Sequence, residues 1–213
     1  NFLLTYLAAG AAKKAGDEDL AKNLMRQYEM AVQRLKMAAD LEVTPVYRNG
    51  RLAELMVRVK NIRAGHNLPT SLTNVRQMWL EITARDEQGT VLMTSGTLNP
   101  DGSLPAEARA FTSDGMGSDF HFAIDPWVVT AFSKHETIPP KGWKDVHYGI
   151  QVPEGVGRIT VEAKLRFRQA DQKVAEALLG AVPKDIDLEQ IYGLKSVPPL
   201  PVVDMVVKQE TVK

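Results

Sequence analysis

Hydrophobic positions along the chain change their period once. From Phe2 to Ala12 the residues are apolar almost without break, which predicts a short packed helix. At about 11 residues this run is too short to cross a bilayer core, which takes about 20. Lys13 and Lys14 follow it, whereas a signal peptide carries its positive charges ahead of the apolar run. Between Asp17 and Leu41, the residues Leu20, Leu24, Tyr28, Val32, Leu35 and Ala39 recur at helical spacing and form one stripe, the mark of an amphipathic helix. Asp17, Glu18 and Asp19 in its first turn, with Arg34 and Lys36 near its end, suit the helix dipole.

After Pro45 the period becomes two. Leu55, Val57 and Val59 alternate with Met56, Arg58 and Lys60, and Met78, Leu80 and Ile82 alternate with Trp79, Glu81 and Thr83. From Arg158 to Arg168 the alternation is strict: Ile159, Val161, Ala163, Leu165 and Phe167 face one way, and mostly charged residues face the other. One buried and one wet face is the pattern of antiparallel sheets. Tyr148, Ile150 and Val152 repeat it briefly, and Val203–Val212 reads as a last strand. Asn49-Gly50, Asp86–Gly89, Asp101-Gly102 and Glu154-Gly155 supply turns. Short helices are expected at Gln172–Leu179 and Leu188–Leu194. The prediction is a mainly β fold: a helical segment over residues 1–45, then an antiparallel β-sandwich of about seven strands over residues 46–213.

Composition narrows the function. The chain has 213 residues, of which 44% are apolar and 24% charged, an ordinary globular make-up. Lys and Arg number 26 and so do Asp and Glu, and a net charge of zero speaks against nucleic acid as a partner. Cys is absent, which excludes disulfides, thiolate metal sites, cysteine nucleophiles and haem attached covalently to this chain. There is no phosphate loop, no HExxH zinc motif and no nucleophile elbow, so no enzyme class finds support. No segment is long and apolar enough to read as a transmembrane helix.

The informative stretch runs from Val59 to Gly96. Asn61-Ile62-Arg63-Ala64-Gly65-His66-Asn67-Leu68-Pro69-Thr70-Ser71 is followed by Arg76 and by Trp79-Leu80-Glu81, then by Asp86, Gly89, Val91 and the closing Ser95-Gly96. Gly65 is expected to turn the backbone at positive φ, and Pro69 to stiffen the loop beyond it, holding His66 on a short rigid support. A fixed imidazole suits metal ligation or capping of a backbone carbonyl.

This order of residues resembles the C-terminal β-sandwich module of multihaem c-type cytochromes. Ile138-Pro139-Pro140 before the strand Val146–Val152, the Val161–Arg168 strand and the Pro198–Pro201 run before the last strand agree with it in sequence order. The amphipathic helix is similar to the one that joins such a module to its haem-bearing half. The family pattern has Gly after Pro-Thr, where this chain has Ser71. What the resemblance implies is a non-catalytic module or haem-free subunit of an electron-transfer assembly. Its haem c would be held by another chain, a multihaem cytochrome subunit, or by an upstream haem domain. Placement would then be periplasmic, or at the cell surface or extracellular, where haem c is attached. His66 is the candidate axial ligand to haem iron, and His121 is a second candidate.

Other assignments compete. His66 also fits a purely structural histidine bonded to its loop, and the same holds for His121, His135 and His147. Trp79, Trp127 and Trp143 could form a sugar-stacking platform or fill core and rim. Arg158, Lys164, Arg166 and Arg168 form either a solvated edge or a landing place for haem propionates. A haem-free adhesion or ligand-binding sandwich that shares only the fold is the alternative function.

Overall fold

In a computed structural model that describes residues 2–123, 125, 127–187, 189–190, 196–197 and 199–213, the N-terminal segment forms two helices. They are α1, Phe2–Lys14, and α2, Glu18–Lys36, joined by a tight turn and packed on each other. Asp17 caps α2, its Oδ1 accepting from the Leu20 backbone N–H at 3.0 Å. The stripe splits along its length. Tyr28, Val32 and Leu35 lie against the main core, while Leu20 is exposed and Ala21 is buried instead.

The second helix stops five residues short of Leu41. Ala39, Leu41 and Val43 already alternate with Asp40, Glu42 and Thr44, and strand β1, Ala39–Arg48, forms there. It pairs antiparallel with β2, Arg51–Asn61, through a hairpin in which Asn49 and Gly50 adopt φ of 51° and 75°. Strand pairing therefore begins inside the stretch assigned to the helical segment, and Pro45 lies within a strand.

The remaining elements are β3 Gln77–Arg85, β4 Val91–Ser95, β5 Ala110–Phe111, β6 Ser113–Met116, β7 Ala131–His135, β8 Trp143–Gly149, β9 Ile159–Arg168, α3 Gln172–Gly180 and β10 Val203–Val212. The helix expected over Leu188–Leu194 falls mostly outside the described residues. One sheet has the order β1-β2-β8; the other has the order β10-β9-β3-β4, with β5 added on β3. The hairpin β6–β7 stands apart as a two-stranded ribbon. All pairings are antiparallel, and the fold is mainly β and sandwich-like.

The core lies between the two larger sheets. Leu55, Val57 and Val59 on β2 meet Leu80 and Ile82 on β3 and Val161, Ala163 and Leu165 on β9 in one cluster, all shut off from water. Each side chain of Leu, Ile or Val size contributes about 1.5–3 kcal/mol by burial. Two residues of the expected wet face depart from it. Trp79 is fully buried, and Arg168 is 2% exposed.

Candidate functional site

The loop after β2 is fastened by the side chain of Asn61, which is itself buried. Its Nδ2 donates to the carbonyls of His66 at 2.9 Å and Ile138 at 3.1 Å, and its Oδ1 accepts from the Ala64 N–H at 3.0 Å. Leu68 and Ile138 exchange both backbone hydrogen bonds at 2.8 Å. Asn67 Nδ2 adds a bond to Thr137 Oγ1 at 3.1 Å. The Ala64–Pro69 segment is thus bolted to the Thr137–Ile138 strap. A loop this fully bonded presents its outward side chains in a fixed geometry.

The turn is made differently from the sequence expectation. Gly65 does not adopt positive φ, and a methyl group added there would meet nothing within 4 Å. Positive φ falls at Ser71 instead, at 62°. That is the place where the multihaem pattern has Gly, the residue that enters this region without steric cost. Leu68-Pro69 is cis.

His66 projects from this loop with its ring exposed. Its Nδ1 lies 2.8 Å from the Asn67 carbonyl oxygen, which can only accept. Nδ1 must therefore carry the proton, and in the neutral ring the lone pair resides on Nε2. Metal-binding imidazoles are commonly oriented in this way, one nitrogen donating to a carbonyl and the other left for the metal. His66 lines a cleft of about 460 Å³, within the range of about 300–1,000 Å³ usual for small-molecule sites. Leu35, Ala38, Leu68 and Phe167 give it apolar walls, and Arg34, Arg63 and Arg76 bring three guanidinium groups to it. Arg76 Nη1 donates to the Thr70 carbonyl at 2.7 Å, and burial pulls its pKa below the ordinary arginine value.

The other candidates are dispersed. His121 is exposed on the loop between β6 and β7, where its backbone N–H bonds Asp119 Oδ1 at 3.1 Å. His135 Nδ1 meets Ser113 Oγ at 2.8 Å, and His147 pairs with Glu54. No group of three or more His, Cys, Asp or Glu gathers among the described residues. The three tryptophans form no platform: Trp79 is buried, Trp127 is exposed on the β6–β7 loop, and Trp143 lies beneath Arg58.

Of the four basic residues on the expected basic face, Arg158 precedes β9 and is exposed without a carboxylate partner among the described residues, whereas the other three are not open to an anion. Lys164 pairs with Glu162 at 2.7 Å, and Arg166 pairs with Glu81 at 2.6 Å and Asp204 at 2.9 Å. Arg168 donates to Gln77 Oε1 and the Gly102 carbonyl, each at 2.6 Å, with Asp171 3.6 Å away. Arg166 and Arg168 both lie over the Trp79 ring, whose Nε1 donates to the Gly96 carbonyl at 3.0 Å. These are structural arginines. Arg63 and Arg76 lie in the stretch that carries the resemblance, yet nothing in the sequence joins them with Arg34 in one cleft, because a guanidinium looks like any other until its neighbours are in place.

Among the described residues no helix is long and apolar enough to cross a membrane. No protein family and no curated protein matches the chain. Among solved structures, a penta-heme cytochrome c552 from Thermochromatium tepidum is similar with a TM-score of 0.57 and 17% identity. The likeness covers 85% of this chain and 41% of that one, so this chain spans less than half the length of the cytochrome. The Northeast Structural Genomics Consortium target SoR45 is far more distant, with a TM-score of 0.27 and 11% identity over 62% of this chain and 74% of that one. What the chain shares with the cytochrome is the fold.

Proposed function

We propose that this chain is a non-catalytic module or haem-free subunit of a multihaem cytochrome electron-transfer assembly, where it covers haem from water and offers His66 as an axial ligand. The observation that carries this is the fold shared with a penta-heme cytochrome over 85% of the chain. The residues of the cleft fit the edge of a haem held elsewhere. They combine an imidazole whose tautomer leaves Nε2 available, apolar walls, and cations without a competing carboxylate. With no Cys in the chain, attachment through thioether bonds belongs to another chain or to an upstream segment. Bound there, haem supplies one-electron transfer. The protein's part is to hold the His66 ring through Asn61 and the Asn67 carbonyl, and to keep water off with Leu35, Leu68 and Phe167. This reading places the protein in the periplasm or at the cell surface, where c-type haem is attached.

The test is the visible spectrum of the natively purified protein across its size-exclusion peak. A haem band co-eluting with this chain at a size above 23.5 kDa is expected. In that assembly His66→Met should shift the potential and visible bands of one haem while the fold is kept. A colourless peak at the monomer size would overturn the proposal.

A further inference from the structure

Charge is distributed unevenly over the arginines of this neutral chain. Arg48, Arg51, Arg58, Arg109, Arg166 and Arg168 each lie within ion-pair distance of a carboxylate. Among the described residues six arginines pair with no carboxylate; Arg26, Arg85 and Arg158 are scattered, whereas Arg34, Arg63 and Arg76 all line the cleft that His66 lines. They come from separate places: α2, the loop after β2, and the loop before β3. No Asp or Glu lines the cleft with them. Unneutralised cations gathered in one cleft repel each other, and burial makes the charge of Arg76 costlier still. The groups that bond them are neutral: the Thr70 backbone carbonyl accepts from Arg76, and the Met37 sulfur lies 4.0 Å from Arg63 Nη1.

We propose that this cleft is a carboxylate-recognition site, in which Arg34, Arg63 and Arg76 bind the acid groups of a flat apolar ligand. The inference rests on the function proposed above, under which those groups are the propionates of the partner's haem. A guanidinium presents paired N–H donors that match a carboxylate, and such charge-assisted bonds are about twice as strong as neutral ones. The apolar walls select against a small hydrated anion, which would gain nothing from Leu35, Leu68 and Phe167. Arg76 is fixed by the Thr70 carbonyl, so its fork is set before any ligand arrives. Arg34 and Arg63 are exposed and free to close on the ligand.

Metal-free protoporphyrin, a dicarboxylate, and its dimethyl ester separate the two parts of this reading. Both are titrated into the purified full chain and followed by porphyrin fluorescence. The absence of iron removes any contribution from axial ligation. The diacid should bind about tenfold or more tightly than the diester. The double variant Arg34→Gln, Arg63→Gln should lose most of that preference with unchanged circular dichroism. Arg76→Gln serves as a third variant; because it also frees the Thr70 carbonyl, the exposed pair decides the matter if it fails to fold. Equal affinities for diacid and diester, no saturable binding of either, or a double variant that keeps the preference would each overturn the inference. The haem partnership would then still stand or fall on the native spectrum. A colourless native protein that prefers the diacid would leave the site intact and assign it another carboxylate-bearing apolar ligand.

Discussion

On β9, register decides what the basic residues do. Lys164 stands opposite Glu81 of β3, and Arg166 stands opposite Asp204 of β10, so each cation meets an acid on the neighbouring strand. At the end of the same strand, Arg168 stands opposite Gln77 and is covered by the loop carrying Gly102. The His66 cleft lies where a helix and two loops converge, and no strand register supplies its arginines with partners. Identical side chains thus act as cement in one region and remain available in the other. The difference lies in whether the backbone brings a carboxylate within reach.

That contrast is open to attack by mutation, and the largest effect belongs to the cemented region. Gly96 has φ of 75°, and a Cβ there would lie 2.0 Å from the Leu80 carbonyl oxygen, a contact with backbone that cannot be relieved by a rotamer. Because the Gly96 carbonyl also receives Trp79 Nε1, Gly96→Ala should cost about 4 kcal/mol or more, read as loss of soluble folded protein or as a collapsed urea midpoint. A variant with wild-type stability would mean that Trp79 and its two arginines are not a structural unit.

Arg168→Met comes next. It removes the donor to Gln77 Oε1 and to the Gly102 carbonyl and the cation beside Asp171, all half-buried partners, and a loss of about 3 kcal/mol in urea unfolding is expected. Arg63→Gln in the cleft should stay within about 0.5 kcal/mol of the parent. Similar losses at both positions would erase the distinction between the two regions.

The smallest effect is a pH dependence. The hydrogen bond with Glu162 raises the Lys164 pKa above its ordinary 10.5. A group raised on folding stabilises fully below its unfolded value and loses that contribution as pH climbs through the folded one. Stability should therefore fall above about pH 10.5 by no more than about 1 kcal/mol, and Lys164→Met should remove this part of the alkaline decline. An unchanged difference between variant and parent from pH 8 to 11 would show that the pair contributes nothing.

Much of the sandwich was legible because alternation is a local property. The buried faces of β2 and β9 fell where the period of two put them, and the last strand has the expected bounds, Val203–Val212. Alternation does not reveal what lies above the supposedly wet face. Trp79 and Arg168 are buried there because the Gly96–Gly102 stretch roofs that end of the sheet. The early end of α2 was missed because helical spacing carries on to Ala39 while the pairing of Leu41 with Val59 claims the same residues for a strand. At the candidate site, the sequence pointed to the His66 loop but placed the turn at Gly65 rather than Ser71. It carried no sign that Arg34, Arg63 and Arg76 share one cleft, where their common feature is the absence of a carboxylate partner.

Asn61 gives the His66 loop an unusual clock. One buried amide holds the end of a core strand, two carbonyls from segments 5 and 77 residues away, and the Ala64 N–H. The Ala64 and Leu68 amide hydrogens are therefore tied to the sandwich, and their exchange with solvent deuterium should be slower than that of loop amides without such bonds. Asn61 grips the backbone that carries the imidazole, so that backbone should move with the core, while the exposed ring turns about its own bonds. The loop backbone should then keep its place over times in which ordinary exposed loops, moving in nanoseconds to microseconds, rearrange many times over.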